Sequence, residues 1–141
     1  LPLNRELAGC GGRFLRAVPT ARDYRLYALP GGPPQRPGLL RVAAGDGAPI
    51  ATEVWALPPA ALGRFVAAIP APLGSGTLRL ADGTAPKGFL VEPAGLDGAA
   101  DITRFGGWRA YLAASRTARS PARRSPGPAA TAPQPVPRCA G

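Results

Sequence analysis

The chain has 141 residues, 19 Gly, 19 Pro, no His and no Met, with a formal net charge of +9. That length supports one domain with a modest core, and the Gly and Pro content favours turns and short elements over long helices. No run approaches the roughly 18 apolar residues of a membrane-spanning helix, and the start LPLNREL lacks the basic and apolar regions of a signal peptide.

The absence of Met, with Leu at position 1, reads as a piece of a longer protein or a misassigned start. Cys10 and Cys139 lie near opposite ends. They are read as two free thiols of a reducing cytoplasm, since they lack the density of a disulfide scaffold. Two Cys without His make no usual zinc site, so no metal and no cofactor are expected.

Charge divides the chain. Residues 114–141 hold five Arg, six Pro and no acid, whereas residues 1–113 hold 12 Lys and Arg against 8 Asp and Glu. A segment with so few large apolar side chains cannot offset its ordering entropy, so residues 114–141 are expected to be a disordered Arg/Pro-rich tail. Such a tail can attach to nucleic acid by counterion release. The body has no aromatic platform interleaved with basic residues, which argues against a nucleic-acid partner.

In chain order, Leu3 and Leu7 share one face of a short helix that Gly9, Gly11 and Gly12 end. Arg13–Val18 suits a short strand. Tyr24–Leu29, with Tyr24, Leu26 and Ala28 on one face, is a better one. PGGPPQRPG is a loop, Leu39–Ala43 a strand, and GDG a tight turn. Ile50–Leu57 is the strongest strand, rich in β-branched and aromatic residues. A helix follows, with Leu62, Phe65, Val66 and Ile69 at helical spacing and Pro70 at its end. TLRLA and KGFLVE form a hairpin around Asp82-Gly83. Asp101 caps a short turn, Gly106-Gly107 break it, and Trp108, Tyr111 and Leu112 form one face of a final helix. Without βαβ alternation, the order predicts an α+β fold: a small bent mixed or antiparallel sheet, or a barrel, with two or three short helices.

The chemical inventory is thin. No imidazole base is present, and neither Gly-rich stretch continues into a phosphate cradle. Arg25, with Tyr24 and Tyr27 on the same strand, offers a guanidinium and a phenol to a small anion, or else lies on the wet face of a packed strand. Glu53 interrupts an apolar strand, so it either faces solvent or is held by a partner that perturbs it. Trp108 and Arg109 read as a core plug beside a snorkelling Arg. Arg25, Tyr27 and Glu53 are the substrate-binding candidates, and no catalytic residue is assigned.

PLNREL, YRLYALPG, EVWALP, FVAAIPAPLGSGTLRLADG, KGFLVE and DITRFGGWRAYLA, in this order and spacing, resemble the C-terminal domain of allophanate hydrolase over residues 1–113. The resemblance implies a fold similar to the gamma-glutamylcyclotransferase-like barrel and a place in urea degradation. There the domain would take the N-carboxycarbamate released by an amidase domain and remove CO2 from it. It implies a small anionic substrate and the amidase domain as partner, with self-association a further expectation. The family places a strand and a Gly-rich, His-containing loop before PLN, so this chain is expected to be truncated and weakly active or inactive. Cyclotransferases of this fold use a Glu where this chain has Ala68, Ile69 and Pro70, so that activity is not expected. Two alternatives are a non-catalytic docking domain of a larger amidase and a basic-tail nucleic-acid binder.

Overall fold

A computed structural model describes residues 2–119. Three helices, α1 (Pro2–Gly9), α2 (Pro59–Ala68) and α3 (Trp108–Arg119), are interleaved with seven strands. The strands are β1 (Arg13–Pro19), β2 (Tyr24–Ala28), β3 (Pro37–Arg41), β4 (Ala51–Ala56), β5 (Leu73–Thr77), β6 (Lys87–Val91) and β7 (Ala100–Asp101). The fold is α+β, as expected. The barrel and the mixed sheet are not what forms: the strands make three separate antiparallel sheets, ordered β1-β4, β3-β2-β7 and β5-β6. A Thr20–Leu80 bridge links two of them without closing a ring.

β2 is the centre. Its alternation buries Tyr24, Leu26 and Ala28, which pack with Leu39, Ile50, Leu78, Leu80 and Ile102. Tyr24 is fully buried, and its hydroxyl oxygen accepts the Arg79 backbone N–H at 2.8 Å, so the phenol pays no unpaired-polar cost. Thr20, equally buried, donates to the Ala21 carbonyl and accepts from the Ile50 N–H. Trp108 and Tyr111 of α3 lie against this cluster with their rings 5.3 Å apart.

One expectation is corrected. The hairpin strand is Leu73–Thr77, ending where TLRLA was expected to begin, and Gly76 and Gly88 face each other across the ladder. A Cβ on Gly76 would come within 2.5 Å of Leu90, and one on Gly88 within 2.5 Å of Leu78. The GSG segment is therefore the place where leucines close over the backbone, and the turn at Asp82-Gly83 lies beyond it. The α2 helix forms at the expected spacing. Ala61 is its buried residue, Phe65 and Ile69 are half-buried, and Leu62 and Val66 are exposed. Helical spacing defines a stripe but not which edge of the stripe meets the body.

α3 continues six residues beyond Ala113, so Ala114–Arg119 are helical, where a tail was expected. Residues 120–141, with Cys139 and most of the Arg/Pro-rich stretch, lie outside the described residues. Among the described residues no helix is long and apolar enough to cross a membrane.

Candidate functional site

The polar cluster drawing on the most distant parts of the chain centres on Glu53. Along β4, residues 52 and 54 turn one way and residues 53 and 55 the other. Thr52 donates to the Val18 carbonyl and Val54 packs on the core, so Glu53 and Trp55 share the opposite face. Trp55 stands across the ribbon from Phe14, edge to face at 5.7 Å.

Two further elements bring their side chains to Glu53. α1 ends where the Gly12 N–H bonds the Leu7 carbonyl at 2.8 Å, and a Cβ on Gly12 would collide with that carbonyl and crowd Leu57. This tight return holds α1 beside the end of β4 and brings Asn4 to the carboxylate. At the other side, Gly106 takes the left-handed conformation (φ 70°) that closes the 3-10 turn Thr103–Phe105. Its carbonyl accepts the Ala51 N–H, which fastens the start of α3 to the start of β4 and brings Arg109 over the ribbon.

Glu53 then has three donors. Asn4 Nδ2 and Trp55 Nε1 donate to Oε2 at 3.0 and 3.2 Å, and Arg109 Nη2 reaches Oε1 at 2.5 Å. Partial burial pushes its carboxyl upward, but the Trp55 hydrogen bond, the Arg109 charge and the Asn4 hydrogen bond outweigh that and hold it below the usual carboxylate value. Glu53 is therefore an ionised acceptor rather than a proton donor near neutrality. Arg109 is 58% exposed and makes no other hydrogen bond among the described residues. A guanidinium carries five N–H donors in a fixed fork, so Arg109, steered by Glu53, keeps an edge for an incoming carboxylate.

Arg25 and Tyr27 lie elsewhere. Arg25 Nη1 pairs with Asp101 at 2.8 Å and its Nε donates to the Asp46 carbonyl at 2.7 Å. The hydrogen bond and charge of Asp101 raise the Arg25 pKa above its usual value. Partial burial pushes Asp101 up, but Thr103 and Arg25 together hold it below. Arg25 thus joins β2 to β7 and to the turn around Asp46. Tyr27 is half-buried between Gly38 and Asp101. Neither residue is among the polar partners of Glu53. Trp108 packs on the core as a plug, whereas Arg109 belongs to the Glu53 cluster. Asn4 and Trp55 carried no site signal of their own in the sequence. Their only pointer was that PLN and EVW sit within the matching segments.

The sequence profile described as "Allophanate hydrolase C-terminal domain" matches residues 1–113. The urea amidolyase of Saccharomyces cerevisiae is 39% identical over 115 residues, covering 79% of this chain and 6% of the relative, and that of Lachancea kluyveri is 38% identical over the same shares. The chain therefore spans about 6% of the length of these curated relatives. Among solved structures, Kluyveromyces lactis allophanate hydrolase superposes with a TM-score of 0.77 at 40% identity, covering 82% of this chain and 19% of that one. A uropathogenic E. coli-specific protein superposes with a TM-score of 0.70 at 35% identity, covering 79% of this chain and 84% of that one.

Proposed function

This chain belongs to the family of allophanate hydrolase C-terminal domains, and on that premise we propose that it binds the dianion N-carboxycarbamate in urea degradation and orients it for loss of CO2. The observation that carries this reading is the Glu53 cluster, assembled from the PLN, EVW and WRAY segments and leaving the Arg109 guanidinium open to a carboxylate. In the reaction, the bond from nitrogen to one carboxylate carbon breaks. Its electron pair stays on nitrogen, which takes a proton; CO2 leaves, and carbamate remains. Arg109 holds the retained carboxylate, and Glu53 acts as a positioning residue by fixing the guanidinium plane. The part proposed for these residues is binding and orientation of the dianion, with the proton supplied by water.

The proposed partner is an amidase domain that supplies the substrate, and the proposed setting is the cytoplasm. Malonate, in which CH2 replaces the NH, is the probe. Calorimetric titration into the full chain is expected to saturate, and Arg109→Gln is expected to weaken binding about tenfold or more by removing a charge-assisted hydrogen bond. Equal binding by Arg109→Gln and the parent overturns the assignment.

A second reading, a docking domain for the amidase, draws on the exposed Leu3, Phe14 and Leu15. Size-exclusion chromatography with an allophanate-hydrolase amidase domain, alongside the chain alone to detect self-association, tests it. No co-elution at micromolar concentration removes it.

A further inference from the structure

A cleft of about 730 Å³ is walled by three segments, residues 29–36, 71–73 and 94–97. The volume lies in the range of small-ligand pockets, roughly 300–1,000 Å³. Its base includes the buried Leu29, and the rings of Pro30, Pro33, Pro34 and Pro72 give it rigid apolar walls. The polar groups are few and of opposite sign. Arg36 comes from the first loop and Asp97 from the third, and neither side chain makes an ion pair or hydrogen bond among the described residues.

Gly31 and Gly32 have φ of 94° and 113°, a conformation that side chains disfavour, and their N–H groups have no backbone acceptor among the described residues. The cleft is therefore lined by one cation, one carboxylate and apolar surface. A molecule with one carboxylate, one ammonium group and an apolar body satisfies all three kinds of surface.

We propose that this cleft binds a zwitterionic amino acid, with Arg36 on the carboxylate, Asp97 on the ammonium group and the prolines against the side chain. The inference is independent of the Glu53 cluster. The test titrates the full chain with leucine, N-acetyl-leucine and leucinamide, which carry both charges, the negative one and the positive one. Leucine is expected to saturate the site, and each blocked form to bind about tenfold or more weakly, because each lacks one charge-assisted contact.

Arg36→Gln is expected to abolish the preference for leucine over leucinamide, and Asp97→Asn the preference over N-acetyl-leucine. Both side chains are exposed, and circular dichroism checks that the variants remain folded. Arg109→Gln is expected to leave leucine binding unchanged. Equal affinity for the three compounds, no saturation by leucine at millimolar concentration, or unaltered preferences in the two loop variants overturns the proposal.

Discussion

β1 and β2 follow one another in the chain and have opposite surroundings. β2 is paired along one edge by β3 and at its end by β7, and every second side chain is buried. β1 has one full partner, β4, and leaves Phe14 and Leu15 at 49% and 45% exposure, with an irregularity between Phe14 and Arg16. Burial of apolar area is the dominant stabilising term, so the free energy of the fold is concentrated around β2. The β1–β4 ribbon contributes less of it and carries the polar cluster. The ribbon carries Glu53, and α3 brings Arg109 to it at 58% exposure.

Substitutions along this divide should differ in size. Leu26→Ala, at 4% exposure in the β2 core, is expected to cost about 2–5 kcal/mol in urea unfolding by loss of packing and creation of a cavity. Gly88→Ala is expected to cost about 1–3 kcal/mol, because its methyl would overpack Leu78 under the hairpin. Phe14→Ala, on the ribbon, should cost about 1 kcal/mol or less, chiefly the edge contact with Trp55. If Phe14→Ala matched Leu26→Ala, the two regions would be energetically alike and the division would fail.

The smallest effect is a pH dependence. Glu53 has a depressed carboxyl pKa in the folded state, so its share of stability is complete above its ordinary 4.5 and is lost as pH falls through the lower folded value. Glu53→Gln is expected to flatten the acid side of the stability profile below about pH 5 while changing little of its neutral side. An unchanged acid slope in unfolding midpoints would show that the carboxylate is not held by its three donors.

Legibility in the sequence followed the same divide. YRLYAL was readable as a strand because its alternation matches real burial at Tyr24, Leu26 and Ala28. The Leu62/Val66 stripe was readable as helix but not as exposed, since periodicity does not say what the helix meets. GSG gave no strand signal because a glycine chosen for clearance under a leucine looks, in one dimension, like one chosen for bending. Glu53 was singled out as a carboxylate within an apolar strand, but its partners Asn4 and Arg109 are 49 and 56 residues away, and only folding brings them together. Arg25 was readable as a strand cation, while its tie to Asp101, 76 residues on, was not.

The proposed placement of an anion site at Glu53 and Arg109, rather than along the Arg25–Tyr27 strand, is tested most directly by nuclear magnetic resonance titration of the ¹⁵N-labelled full chain with malonate. The indole N–H of Trp55 donates to Glu53 and so reports on that cluster, while the indole of Trp108 and the amides of β2 serve as internal references. The predicted result is a saturable shift of the Trp55 indole signal that disappears in Arg109→Gln. Saturable shifts confined to Arg25 and Tyr27, with the Trp55 signal unmoved, would contradict it.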